Sequence, residues 1–402
     1  MKRKFLWIFL YFFVGVKSQL LFYVRKDTMM VFQYEWGDEF ENERLSSDKW
    51  NTNYGWGNTI PHNGELQFYT RTENIFFRNG LLYLTAVRKD TLALCYNWKK
   101  PQDSLFHNGN FIGMNQRIFP FTSGMIQSTR DFLYGYFEIF FTVKDEQGFW
   151  PAFWLYGGTP NEEIDWMELK TEFPKKISVN LHHQNSKDGY RKVGFRKRRF
   201  GGWVKMSGNF SKHFTMVSGY WSEKEISFFI NGVHAGYFPN KMKVPKKLVA
   251  NLAVAQDGWA FSPGPRKDFN DSLHFIIDYI RVWKPLHTEI TKRSVFSQTL
   301  VSHSDLPQNI KVRKGKNISG GKKKLKRGAF ICIGKNYEGK LNIFSYGNMN
   351  LQSITLEITG EECQEVFRFD NEKKIIQSSC SADKVHRITV NYGNQKKIVD
   401  IY

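Results

Sequence analysis

Glu163-Ile164-Asp165-Trp166-Met167-Glu168 sets three carboxylates within six residues, shortly after the apolar run Gly148-Phe149-Trp150-Pro151-Ala152-Phe153-Trp154-Leu155. Side chains on a strand alternate between faces. Glu163 and Asp165 therefore share a face, and a regular strand would turn Glu168 to the other one. One extra residue, a β-bulge at Trp166-Met167, restores Glu168 to the acidic face and leaves Ile164 facing a core. Three like charges on one face push at least one pKa up. A purely structural strand gains nothing from that arrangement, so a site is the better explanation.

Outward from this stretch the chain reads as a series of short strands. They are expected at 31–40, 65–70, 81–87, 123–128, 134–143, 150–156, 163–170, 177–182, 214–221, 225–230, 233–238, 248–255 and 275–283. Asn79-Gly80 and Asn231-Gly232 are hairpin turn signals between them. Helical periodicity is nearly absent, which points to an all-β protein, a β-jelly-roll sandwich. An edge falls near Trp283-Lys284-Pro285, and 286–327 turns polar and basic, as a linker does. Alternation returns in 328–402, read as a small, separate C-terminal β domain of unknown role.

The N-terminus reads as an export signal over 1–18. A basic Met1-Lys2-Arg3-Lys4 precedes an apolar run from Phe5 to Val16, too short to span a membrane comfortably. Val16-Lys17-Ser18 offers small residues for cleavage before Gln19. No later stretch reaches transmembrane length, so a soluble protein is expected outside the cytoplasm: secreted, periplasmic or at the cell surface. The chain has 402 residues, a net charge of +20 and 16% aromatic residues. The charge implies anionic surroundings, with dense runs at Arg191 to Arg199 and Lys322 to Arg327. Export counts against nucleic acid as the partner. The aromatics suit a β core or stacking on sugar rings. Four cysteines form no disulfide framework, although Cys363 and Cys380 could pair, and no Cys/His spacing suggests zinc.

The acidic stretch resembles the E-I-D-x-x-E signature of glycoside hydrolase family 16 in its bulged form. Other motifs follow in that family's order. Trp36-Gly37-Asp38-Glu39-Phe40, Glu65-Leu66-Gln67-Phe68-Tyr69-Thr70, Ser123-Gly124-Met125-Ile126, Tyr134-Gly135-Tyr136-Phe137-Glu138, the Gly148 to Leu155 run and Ile277-Asp278-Tyr279-Ile280-Arg281-Val282 all resemble its elements. The resemblance spans about 31–284, and a catalytic domain is expected over 19–285. It implies an endo-acting glycanase that cleaves β-linked polysaccharide with retention, with Glu163 as nucleophile, Glu168 as acid/base and Asp165 between them. It needs no cofactor. In parts of the family a structural Ca²⁺ occurs where Asp278 and the backbone near Gly80 would lie. One carboxylate is weak support for calcium.

The chemistry agrees with those roles. Retention needs two carboxyls about 5–5.5 Å apart. Two long Glu side chains can close most of the roughly 13 Å between their Cα atoms on a bulged strand. Trp150 and Trp154 share one face, and with Glu65, His182 and Trp259 they are candidates for substrate binding. The polysaccharide partner is expected to be a β-1,3-glucan of laminarin type. The basic run 191–199 offers forks for sulfate and raises a sulfated galactan of agar, porphyran or carrageenan type as the alternative. A non-catalytic carbohydrate-binding protein and a transglycosylase are the other readings on this fold. A monomer is expected.

Overall fold

The computed structural model describes residues 19–26, 28–60, 63–95, 104–107, 110–158, 162–183, 201–286, 290–291, 307–313, 327–336, 338–349, 351–369 and 375–401. The proposed export signal, the basic run 191–199 and most of 322–327 lie outside those residues. Nearly every described element is a strand. No described helix is long and apolar enough to cross a membrane.

Two sheets face each other in the manner of a β-sandwich. The cleft sheet has eight strands in the order Val312–Arg313, Gly201–Met206, Lys176–His183, Glu162–Glu168, Phe149–Gly157, Lys246–Val254, Met125–Phe132, Trp50–Asn51. The back sheet runs through Val233–Pro239, Glu225–Ile230, Thr215–Trp221, Gly135–Val143, Ser272–Pro285 and Met29–Asp38. Their facing surfaces enclose the main core, which includes Phe137, Ile139 and Phe141 from one sheet and Phe153, Ile164 and Val179 from the other. The other surface of the cleft sheet carries the site.

Gly135–Val143 is buried on both faces because both are covered. Its second face, Tyr136 and Phe140, joins a separate aromatic core with Tyr23, Phe229, Phe330 and Tyr346. That core exists because the back sheet continues past Met29–Asp38 into Leu20–Arg25, Gly328–Lys335, Lys340–Gly347 and Ile375–Ser381. This extension curls over the outer surface of the sandwich. Phe330 meets Phe229 edge-on at 5.4 Å, and Tyr23 stacks on Phe330 at 4.4 Å. The far side of the extension packs against a five-stranded sheet, enclosing a third core with Leu20, Phe22, Ile331, Leu356 and Val390.

The expected boundaries therefore differ from the observed packing. Leu20–Arg25 was not expected as a strand, because its apolar letters merge with those of the preceding leader. It lies between Met29–Asp38 and Gly328–Lys335, with Phe22 opposite both Val31 and Ile331. The C-terminal unit takes its first strand from residues before the sandwich and is not a separate appendage. The stretch expected as linker also returns to the sandwich: Val312 pairs with Met206 and Arg313 with Lys205. The expected strand at 123–128 straddles Gly124, where Asn110–Ser123 of the back sheet gives way to Met125–Phe132 of the cleft sheet. Cys363 and Cys380 form a disulfide, while Cys95 and Cys332 are free and buried.

A charged group is sealed beneath the curled extension. Arg281 donates to Glu39 through Nε (2.8 Å) and Nη2 (2.6 Å), and its Nη1 lies 3.8 Å from Glu138. Trp283 Nε1 and the Tyr346 hydroxyl donate to Glu138 at 3.1 and 3.4 Å. Burial pushes Glu138 up to about 7 against the opposing charge of Arg281. Two of the sequence motifs thus meet here in a structural role: Glu39 of the N-terminal motif holds Arg281 of the closing one.

Candidate active site

The bulge expected in the acidic stretch is present. Trp154 pairs with Asp165 and Phe153 with Met167, so Trp166 is the residue passed over. On the other side, Asp165 faces Asn180 and Glu168 faces Ser178. Trp166 and Met167, consecutive in sequence, both enter the main core. Gly219 makes room for the Trp166 ring, since a Cβ there would lie 2.1 Å from it. With two residues spent on the core side, Glu168 returns to the face of Glu163 and Asp165.

His182 pairs with Glu163 across the strands. Its Nε2 lies 3.1 Å from Asp165 Oδ2 and 4.0 Å from Glu163 Oε1. Burial would lower its pKa, but contact with Asp165 and the charges of Glu163 and Glu168 outweigh it and push His182 up to about 10. The side chain is still 60% exposed, so water screens part of that attraction. Glu163, Asp165 and His182 are also the one group of three metal-ligating side chains found among the described residues.

Burial raises all three acids. For Glu163 the charge of Asp165 adds to it, for Asp165 the charge of Glu168. A side-chain hydrogen bond between the two raises Glu163 and lowers Asp165. Glu168 is pushed up to about 7 by burial, with the charge of His182 opposing and that of Glu163 adding. Glu163 is raised well above the ordinary carboxylate range and Glu168 to about 7, with the charge of His182 opposing both, so protons can be redistributed among these contacts near neutral pH.

The aromatic candidates lie beside this cluster. Trp150 and Trp154 face the same way, but each is largely covered. Phe261 stacks flat on Trp150 at 4.1 Å and 9°, with Trp203 5.9 Å from Phe261. Phe261 thus covers one face of the Trp150 ring. Trp154 donates through Nε1 to Asn251 Oδ1 (2.7 Å), and Asn251 donates to the Tyr69 hydroxyl (2.9 Å). Tyr54, Trp56 and Tyr156 adjoin Trp154 in a chain of rings. Glu65 is buried, accepts from Gln67 (2.6 Å) and Asn63 (3.3 Å), and is pushed up to about 7 by burial. Trp259 is 47% exposed and lies over Gly64, whose φ of 73° and missing side chain allow the approach. Asp278 lies apart, buried on the back sheet, in no group of three side-chain ligands among the described residues. A calcium ion there would draw its other oxygens from backbone carbonyls, amide or hydroxyl side chains, or water.

Several residues around the acids were not picked out from the sequence. Tyr156 and Asn180 follow from the same alternation that gave Trp154 and His182. Trp203 and Phe261 reach the site only by tertiary folding, and no periodicity marks them.

The family model for glycosyl hydrolases family 16 matches residues 65–269, just over half of the 402. An endo-1,3-1,4-β-glycanase of Rhizobium meliloti is 27% identical over 63% of this chain and 52% of its own length. A glucan endo-1,3-β-glucosidase of Cryptopygus antarcticus is 31% identical over 41% of this chain and 56% of its own. The chain therefore spans about half the length of the curated relatives it matches. A solved structure described by the endo-acting O-glycanases with which human gut bacteria initiate mucin breakdown aligns with 69% of this chain and 97% of that one. At 24% identity and a TM-score of 0.51, that likeness is one of fold.

Proposed function

The chain belongs to glycosyl hydrolases family 16, and on that premise we propose that it is an exported endo-acting β-glycanase that cleaves internal bonds of a β-1,3-glucan with retention. The observation that carries this reading is the bulged strand, which gathers Glu163, Asp165 and Glu168 on one face while Trp166 and Met167 enter the core. A binding-only protein has no use for two buried acids, a third half-buried one and a histidine in contact with them. The names of the relatives support β-glucan as the first substrate class to test.

In the first step Glu163 attacks the anomeric carbon as the glycosidic bond breaks, and Glu168 gives its proton to the leaving oxygen. Asp165, with His182 at 3.1 Å, takes up the proton that would otherwise quench Glu163. In the second step Glu168 takes a proton from water as that water displaces Glu163. A sugar hydroxyl in place of water would give transglycosylation from the same intermediate.

The experiment is reducing-end release from laminarin, mixed-linkage glucan, agarose, porphyran and carrageenan, with the anomer formed first read by NMR. Release from laminarin or mixed-linkage glucan as the β-anomer is expected. Release from a sulfated galactan alone would move the substrate to the alternative class. Inversion, or no release from any polymer, would overturn the reading.

A further inference from the structure

Asn180 lies two residues before His182, on the same face and opposite Asp165, yet the two steps above do not use it. Its Nδ2 donates to Glu168 Oε2 and to Ser178 Oγ, the latter at 3.0 Å. The neighbouring strand holds it in that pose. Gly201 pairs with Asn180, and a Cβ at 201 would come 2.0 Å from Asn180 Oδ1. Three strands thus share one contact: the acid on Glu162–Glu168, the amide on Lys176–His183, and the missing side chain on Gly201–Met206. The Trp150 indole N–H lies toward the same carboxyl but completes no hydrogen bond.

An amide nitrogen can only donate. A proton on Oε2 would meet the N–H head-on, so the acid form must carry its proton on the other oxygen. We infer that Asn180 is the positioning residue of the acid/base: it holds Oε2 as an acceptor, keeps the transferable proton of Glu168 on Oε1, and stabilises the carboxylate left after transfer. The inference rests on Glu168 being the acid/base. When Glu168 protonates the leaving oxygen, the new carboxylate already has its donor in place. When it later deprotonates water, the proton returns to Oε1. The other groups facing Glu168 among the described residues are Glu163 and Asp165 on its own strand and His182 on the next. Asn180 is the neutral group that completes a hydrogen bond to Glu168.

The test is a titration of the Glu168 carboxyl by carbon-13 NMR in the full chain, with Glu168→Gln identifying the resonance. It is run on the wild type, Asn180→Ala and Asn180→Asp, beside pH profiles of kcat/KM on the polysaccharide that is cleaved. Asn180→Asp keeps the volume of the side chain and guards against a folding defect in the alanine variant. Loss of the donor should move the Glu168 midpoint up by about one pH unit, and the aspartate should move it further. The alkaline limb should follow in the same order, with kcat about tenfold lower and KM changed by less than about twofold. An ordinary packing role would lower activity without ordering the midpoints. Unchanged midpoints in both variants overturn the inference. If the midpoints shift while no polysaccharide is cleaved, positioning is upheld and the hydrolase reading fails separately.

Discussion

Glu163, Asp165, Glu168 and His182 form one electrostatic unit, and each answers to the others. On the proposed mechanism, Glu163→Gln would remove the attacking anion and Glu168→Gln the proton donor. Each should lower kcat on polysaccharide by about 10²–10⁴-fold or more while leaving the melting temperature within a few degrees. Full rate in either variant would undo the assigned role. The pH profile follows from the same contacts. Glu168 is pushed up to about 7, so the general acid loses its proton, and activity falls, above that pH. His182 opposes the rise in Glu163, Asp165 and Glu168 alike. His182→Ala should therefore move both limbs of kcat/KM to higher pH, by up to about one unit given its exposure. These acids were legible in the sequence because alternation and one bulge are enough to sort six residues between two faces. Phe261 over Trp150 was not legible, since its loop meets the Phe149–Gly157 strand only in three dimensions.

At the scale of the element, the bulge depends on what lies beneath it. Trp166 stacks with Phe137 at 5.7 Å, meets Phe228 at 5.4 Å and rests on Gly219. Gly219→Ala would put a methyl group 2.1 Å from the Trp166 ring, with no flexible side chain to yield. We expect a loss of roughly 1–3 kcal/mol in denaturant unfolding, the range for overpacked cores. Because Trp166 adjoins both Asp165 and Met167, activity should fall more than stability alone predicts, even at temperatures where the variant is fully folded. Stability lost with kcat unchanged would separate the bulge from the chemistry. Long alternating strands were read correctly because their pattern is local. Leu20–Arg25 was not, because its neighbours lie on opposite sides of some 300 residues of chain.

Across the whole molecule, the charged group under the curled extension links stability to pH. Glu138 titrates at about 7 in the fold against 4.5 when unburied. A raised acid contributes its full stability below about 4.5 and loses it as pH climbs to about 7. That difference is worth on the order of 3 kcal/mol. Glu138→Gln should remove this slope, so the variant should melt higher than wild type at pH 8 and close to it at pH 4.5. The gain would be absent if Glu138 were already neutral at pH 8. The same packing predicts the fate of a truncated chain. Ending the protein at residue 286 would uncover Tyr136, Phe140, Phe229 and Trp283 together with Glu138 and Arg281. The expected outcome is aggregation in size-exclusion chromatography. A monodisperse, active fragment would show that the extension is dispensable.

The place of Leu20–Arg25 also sets an order of assembly. This strand precedes the sandwich in the sequence, and one of its edges can pair at once with Met29–Asp38. The other edge is completed by Gly328–Lys335, which follows the whole sandwich in the sequence. Until then the nascent protein carries an open strand edge beside an uncovered aromatic surface, a combination prone to intermolecular pairing. Contacts of such long sequence separation also slow folding. A chain that has delivered its acidic strand is thus still unfinished, and its most vulnerable interval is the wait for Gly328–Lys335.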